Sequence, residues 1–541
     1  MIKKILLLAL ITITFSCAQK EQVDTIIFNA KVYTVDANFS NAEAFAIKDG
    51  KFVAVGNTND ILKKYEAEKK IDINGKTVLP GFIDAHCHFY GLGLNKQSVD
   101  LVGTESFEEV IERVSQFQKE KNVPFITGRG WDQNDWEVQE FPTKERLDEL
   151  FPNTPIALTR VDGHAYLVNQ KALDMAGITP ETKVAGGEIQ LKDGKLTGIL
   201  IDNPMDLIGN IIPLPNRTQA IEALKDAQKE CFSYGLTTVN DAGLSKNVIN
   251  LIDSLQKANV LKMRVYAMIS NTPANVDHYI NKEPYKTDYL NVRSFKVYGD
   301  GALGSRGAVL KESYSDKENH FGAMVTSPED LSKLAARIAK TKYQMNTHAI
   351  GDSANYYVLK TYAKALKGQT DRRWKIEHAQ VIDETDFDVF KNENIIPSVQ
   401  PTHATSDMYW AGDRLGEVRE KGAYAYKRLL NLSGKIALGT DFPVEYVSTF
   451  KTFYAAVARK DSKHYPENGY QKENGLSREE TLKGMTIWAA YSNFEENEKG
   501  SIEIGKFADF IVLDKNIMEI PENEILKTTV SETYVAGKKV K

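Results

Sequence analysis

Short apolar runs alternate with longer amphipathic stretches through the middle of the chain. The runs fall at residues 78–84, 237–241, 263–269, 294–298, 344–348, 374–378, 395–400 and 435–440, eight in all. Most are followed by segments such as 328–342, 352–366 and 449–459, whose apolar positions recur every three to four residues, the period of a helix with one buried face. Eight strand-like runs alternating with helices predict an α/β chain built on a TIM (β/α)8 barrel over residues 81–498. The spacing breaks once, between Asp84 and Thr237. Inside that gap, runs at 125–128 and 156–160 and a hairpin pattern at 188–201 around Asp193-Gly194 predict an inserted domain, residues 90–230, after barrel strand 1.

The two ends read differently. Residues 23–80 carry short strand-like runs at 25–28, 31–34, 44–47 and 52–56, with the turn pair Asp49-Gly50 between the last two. The far end repeats the pattern at 501–504, 510–513 and 530–535. Together they predict a small β-sandwich domain assembled from both termini, residues 23–80 and 499–541.

The first residues have a separate logic. Lys3 and Lys4 precede an uncharged run from Ile5 to Phe15 and then Ser16-Cys17. That run is too short to cross a bilayer, which takes about 20 residues, and it has the layout of a signal peptide over residues 1–16. The cysteine after Ser16 resembles the lipidated residue of a bacterial lipoprotein, although Thr14 and Phe15 depart from the usual residues before it; the alternative is an ordinary secretory signal with an incidental cysteine. The lipoprotein reading makes residues 17–22 a tether, Cys17 the lipid attachment site, and the protein an exported one. It would be anchored to a bacterial membrane, touching it only through that lipid and facing the periplasm or exterior. Cys87 and Cys231 then remain, far apart in sequence, and do not form a disulfide framework.

Composition narrows the classes. Hydrophobic residues make up 42% and charged residues 26%, with 68 basic against 73 acidic side chains and a net charge of −5. That is ordinary for a folded domain and argues against a polytopic membrane protein, a disordered chain or a nucleic-acid partner.

Only nine histidines occur, so their positions carry the information. The first run leads into His86-Cys87-His88, which on a strand puts both imidazoles on one side and Cys87 on the other. Two neutral imidazoles so placed can share one cation. Later runs lead to His348, His378 and Asp441. Four histidines and an aspartate at strand ends of one barrel, where catalytic groups gather, point to a divalent metal site, most simply for Zn²⁺. The fourth run supplies Lys296. As a neutral amine it can take up CO2 to give an anionic carbamate able to bridge two ions; as an ammonium it would pair with Asp300 or Asp441 at a single-ion site. Asp300 and Asp352 also suit a turn and a helix N-cap. Glu377 is expected to face away from His378's side, as a structural residue. His278, His320 and His464 have no strand-end context and are expected at the surface.

The motifs Pro80-Gly81-Phe82-Ile83-Asp84-Ala85-His86-Cys87-His88, Thr347-His348-Ala349-Ile350-Gly351-Asp352, Glu377-His378-Ala379-Gln380 and Gly439-Thr440-Asp441-Phe442-Pro443 resemble the amidohydrolase superfamily, in its YtcJ-like branch (amidohydrolase family 3). The stretches Gly128-Arg129-Gly130-Trp131-Asp132 and Asp162-Gly163-His164 with Asn169 resemble that family's inserted region, and residues 500–512 its returning sheet. The resemblance implies metal-assisted hydrolysis of a C–N bond in a small amide, N-acyl, N-formyl or cyclic amide. In its two-ion version, His86, His88 and Asp441 hold one ion, His348 and His378 the other, carboxylated Lys296 bridges them, and Asp441 is the general base. His164, Asn169, His403 and Trp131 are the expected substrate contacts. For His164 and Asn169 the alternative is a turn and a helix cap, and for Trp131 a place in the core. A metal-dependent lyase or isomerase on the same barrel, or a lipoprotein that binds a solute without turning it over, are the competing functions.

Overall fold

Eight parallel strands form one sheet in chain order: β1 (Phe82–Cys87), β2 (Leu236–Leu244), β3 (Arg264–Ser270), β4 (Leu290–Tyr298), β5 (Gln344–Ala349), β6 (Lys375–His378), β7 (Ile396–Val399) and β8 (Ala437–Leu438). The computed structural model describes residues 20–392 and 395–541. The expected leader and Cys17 lie outside these. Helices follow most strands, among them Pro328–Ile338 after β4, Asp352–Leu366 after β5 and Thr449–Ala458 after β8.

Chain order leaves β8 to meet β1, and no strand ladder joins them. Other bonds draw this seam together. The Thr440 N–H and hydroxyl donate to the two oxygens of Asp84 (3.0 and 2.7 Å), and the Asp441 N–H donates to the His86 carbonyl (2.8 Å). The His88 N–H donates to the Phe442 carbonyl at 2.7 Å. Asp84 is fully buried, and desolvation pushes its carboxyl up to about 7 despite the donors around it. The barrel is thus nearly closed, with its first and last strands drawn together at one rim.

The apolar run at 78–84 is not one strand. It divides at Gly81 into Thr77–Pro80, which joins a sheet of the chain termini, and β1. A Cβ at Gly81 would lie 2.3 Å from Thr237 Oγ1, so the crossing admits only glycine. Thr77–Pro80 lies between Lys31–Tyr33 and the C-terminal strand Phe510–Leu513, which pairs onward with Val530–Val535. A second sheet holds Lys51–Gly56, Ala44–Lys48, Glu21–Phe28 and Tyr65–Asp72. Phe45 and Phe52 of this sheet close edge-on, and Phe45 meets Phe510 of the first at 5.0 Å. The strand beginning at Glu21 runs into the expected 17–22 tether. Residues 501–504 are not a strand; the Ile502 N–H donates to the Thr34 carbonyl and its side chain is buried among the sheet residues. Tyr65–Asp72 escaped the hydrophobic pattern because it is a charged edge strand, and Glu and Lys suit an edge. Arg264 of β3 clamps Asp509 through Nε and Nη2 (2.6 and 2.9 Å), fastening the terminal sheet to the barrel.

Between β1 and β2 the chain builds a six-stranded sheet, in the order Gly187–Lys192, Lys195–Asp202, Ala165–Val168, Ile156–Arg160, Ile126–Trp131, Val99–Asp100. Its core holds Trp131, Trp136, Ile156 and Leu158. Among the described residues, no helix is long and apolar enough to cross a membrane.

The seam generates a stability prediction. A Cβ at Gly439 would lie 2.5 Å from His86 N and 2.8 Å from Asp84 Oδ1. Gly439→Ala is expected to lower stability by about 1–3 kcal/mol, read as the shift in a denaturant midpoint; an unchanged midpoint would refute the tightness of this closure.

Candidate metal centre

The expected ligands converge on the rim where β1 and β8 meet. His86, on β1, and His88, the first residue beyond its end and the N-cap of the helix that follows, both turn towards Asp441. Asp441 follows β8 with φ +62°, a left-handed backbone that a non-glycine residue adopts at a cost of about 1–2 kcal/mol. The turn brings Oδ1 to 3.2 Å from His88 Nε2 and 3.6 Å from His86 Nε2. Two donor sets form, His86–His88–Asp441 and His378–His403–Asp441, each with ligating atoms within 4.8 Å of one another. Asp441 belongs to both.

His378 is also left-handed (φ +73°), as is Ala379 (φ +43°). Strand alternation therefore fails at the end of β6, and Glu377 does not face away: its Oε2 lies 2.5 Å from His86 Nδ1, with both side chains completely buried. Burial pushes the Glu377 carboxyl up, but His86, Lys375 and Lys296 outweigh it and hold it below its usual value. An ionised carboxylate only accepts, so Nδ1 of His86 carries the proton and Nε2 presents its lone pair to the centre. The Nδ1 of His378 is held in turn by Gln400 Oε1 at 2.8 Å.

The remaining expected residues divide. His348 stands with its ring 4.5 Å from that of His378, yet it is in neither donor set, and its Nε2 lies 3.3 Å from the Gly301 carbonyl. His403, expected as a substrate contact, instead joins His378 and Asp441, with Nε2 3.8 Å from Asp441 Oδ2. Lys296 Nζ sits 3.0 Å from His86 Nε2, and burial lowers its pKa to about 8. His164 reaches the centre from the inserted sheet, its ring 5.1 Å from that of His348 and its Nδ1 2.7 Å from Asp202 Oδ1. Asn169 does not reach it: Oδ1 accepts from Ile156 N and caps the helix Gln170–Ala176 through Ala172 N, while Nδ2 donates to Phe151 and Thr154. Trp131 is fully buried in the insertion core, donating to the Leu158 carbonyl. Asp300 accepts three backbone N–H groups, from Val309, Ile350 and Gly351, and so organises the loop after β4. Asp352 is the first helical residue rather than the cap, and its Oδ1 accepts from Lys311 N. Cys87 is buried, with Sγ against the Asn240 carbonyl. His278, His320 and His464 line no part of the cavity.

That cavity, about 1030 Å³, opens between barrel rim and insertion, and its walls include His88, Arg129, His164, Tyr298, His403 and Asp441. Sequence reasoning passed over Tyr298 and Arg129. Tyr298 was within reach, because it lies two residues beyond Lys296 and so shares its face. Its ring stands 5.0 Å from Lys296 Nζ, and burial raises its pKa to about 12.

These donors suit a divalent cation. Burial holds His348 and His378 well below their usual pKa and lowers that of His88, leaving the unprotonated rings that ligation needs. Burial pushes the Asp441 carboxyl up, but the surrounding histidines override this and keep it well below its usual value. Asp441 Oδ1 and His403 Nε2 are buried with no hydrogen-bond partner. A buried carboxylate oxygen left bare beside neutral imidazoles is costly unless a cation completes it.

The comparisons agree with this chemistry. A model of the amidohydrolase family matches residues 69–541. The chain is 32% identical over 538 residues to Protein LONG AFTER FAR-RED 3 of Arabidopsis thaliana, covering 96% of this chain and 91% of that one. It is 31% identical over 520 residues to the putative amidohydrolase YtcJ of Bacillus subtilis, with coverage of 94% and 97%. To N-substituted formamide deformylase of Arthrobacter pascens it is 27% identical over 546 residues, with coverage of 95% and 97%. An uncharacterized metal-dependent hydrolase from Pyrococcus furiosus superposes with a TM-score of 0.73 at 27% identity, over 92% of this chain and all of that one. The chain belongs to the amidohydrolase family and is a metal-dependent hydrolase.

Proposed function

We propose that this hydrolase cleaves a C–N bond in a small amide, N-acyl, N-formyl or cyclic amide substrate. The observation that carries the reading is Asp441, an ionised carboxylate shared by two donor sets, with one oxygen bare. A divalent ion held there, Zn²⁺ in the simplest case, supplies an acidified water and an electrophile for the substrate carbonyl. His86, His88 and Asp441 would hold one such ion, and His348 and His378 would serve a second. The deformylase from Arthrobacter pascens, similar along nearly its whole length, favours an N-formyl substrate among these.

The protein's own groups then have distinct tasks. Asp441 takes the proton of the attacking water as its oxygen bonds to the carbonyl carbon. It returns that proton to the nitrogen as the C–N bond breaks, leaving a carboxylate and an amine. Tyr298, protonated at any physiological pH, and His164 are the donors available to the developing oxyanion. His403 stands beside His378 with Nε2 towards Asp441 Oδ2, and is available as a further ligand or as a donor to the substrate. Lys296 as its carbamate would offer anionic oxygen to the bound metal, whereas an ammonium 3.0 Å from His86 Nε2 would compete with a cation for that lone pair. The insertion serves as the cavity's outer wall, and the two terminal sheets as one sandwich that braces the barrel from below. The leader and Cys17 support an exported, lipid-anchored protein; metabolic labelling with radioactive palmitate should mark the full chain and spare Cys17→Ser, and equal labelling of both would end that reading.

Two measurements test the chemistry. About two metals per chain are expected in the purified protein, with Asp441→Ala abolishing hydrolysis of N-formyl and N-acyl amines. Reloading of chelated protein in bicarbonate should accelerate as the pH rises through about 8, because only the unprotonated Lys296 amine adds CO2. One metal per chain together with a fully active Lys296→Ala would exclude the carbamate. Separately, Glu377→Gln is expected to weaken metal affinity about 10–100-fold, measured by competition with a chromophoric chelator; unchanged affinity would make Glu377 a packing residue only.

A further inference from the structure

The cavity walls carry four cationic side chains besides histidine: Lys96, Arg129, Arg160 and Lys296. Three are already committed. Lys96 pairs with Glu230 at 2.6 Å, Arg160 is gripped by both Asp132 and Asp162, and Lys296 rests against His86. Arg129, like Lys296, has no carboxylate within ion-pair distance among the described residues, and unlike Lys296 it does not touch a histidine of the metal centre. Its single hydrogen bond is from Nη2 to the Val161 carbonyl at 2.8 Å, although a guanidinium has five N–H groups to satisfy.

The turn beneath it is shaped for this. Gly163 has φ +79°, and a Cβ there would stand 3.1 Å from Nη2 and 3.2 Å from Nη1 of Arg129. The guanidinium therefore lies on bare backbone, oriented by a carbonyl rather than by an opposite charge. The neighbouring acid is spent: Asp162 takes Arg160 on Oδ2 and the His164 N–H on Oδ1. The next residue along, His164, stands against His348 at the metal centre. The acids Asp407 and Glu445 belong to the wall that follows β7 and β8; they are engaged by Tyr424 and Ser406. An anion entering the cavity thus meets Arg129, a cation without a carboxylate partner, on the insertion side of the reacting centre.

We propose that Arg129 is a specificity-determining residue that binds a carboxylate carried by the substrate, so that the amide cleaved belongs to an N-formylated or N-acylated acid, or to a cyclic amide bearing a carboxylate. This rests on the C–N hydrolase reading above. Oriented guanidinium N–H groups in a partly desolvated pocket match a carboxylate's two oxygens, and the fixed charge needs no reorganisation to receive it.

The test uses two compounds that differ only in the charged group, N-formylphenylalanine and N-formylphenethylamine. The wild-type protein should favour the acid by about tenfold or more in kcat/KM, an amount usual for one well-placed charge pair. In Arg129→Gln that ratio should collapse towards one, and Arg129→Lys should restore part of it. Calorimetric titration of the chelator-treated protein supplies a readout that needs no turnover: the acid should bind wild type at least about tenfold tighter than Arg129→Gln, and the uncharged formamide should bind both equally. Arg129-dependent binding without hydrolysis of either compound would uphold the subsite while removing the C–N reading. Hydrolysis of both compounds with no preference in the wild type, or a ratio that survives Arg129→Gln, would overturn the subsite and leave that reading intact.

Discussion

Everything at the metal centre depends on closing a cylinder whose last two edges share no strand ladder. His86 rides on the first barrel strand and Asp441 leaves the eighth, more than 350 positions later in the chain. They meet because a buried carboxylate, Asp84, takes both donors of Thr440, and because the Asp441 amide is tied to the carbonyl of His86 itself. The bond that seals the barrel and the bond that seats Asp441 are therefore adjacent links of one short chain. Loosening the first misplaces the second, which makes Asp84 a structural residue with functional leverage although it touches no substrate.

The same rim carries backbone strain. Both His378 and Asp441 sit in left-handed backbone, a conformation retained only where surroundings over-determine it. At His378 it changes which side chains reach the interior: a regular strand could offer either residue 377 or residue 378 to the barrel, and this one offers both. Glu377 can then steady His86 of one donor set while its neighbour His378 belongs to the other. The lone pair at His86 Nε2 is thereby directed by a charge, and the orientation of His378 by a neutral amide, so the two halves of the centre differ in the basicity of their donors.

Much of this was legible in the linear sequence. The eight barrel runs, the insertion and the strand-end histidines follow from apolar periodicity and from where polar residues interrupt it. What periodicity could not convey is backbone that departs from its own period. Gly81 separates two strands inside a single apolar run, and positive φ at His378 turns that ring to the side that Glu377 already faces, against the rule of alternation. Trp131 and Asn169 show the opposite failure. Their motif looked chemical, but a tryptophan whose N–H finds a carbonyl and an asparagine whose amide is fully used belong to a core and a cap. Arg129, two residues before Trp131, gave no sign in the sequence of lying without a partner, because that is a property of what fails to surround it.

The terminal sheet has a consequence for how the protein is made. Thr77–Pro80 is hydrogen-bonded on one side to a strand near the start of the chain and on the other to Phe510–Leu513 near its end. During synthesis that second edge stays open, with Val78 and Leu79 uncovered, until nearly the whole polypeptide has emerged. An unpaired apolar edge is a template for wrong partners, so nascent chains must pass through a long sticky interval, and a truncation of only a few dozen residues at the carboxyl end would make that interval permanent.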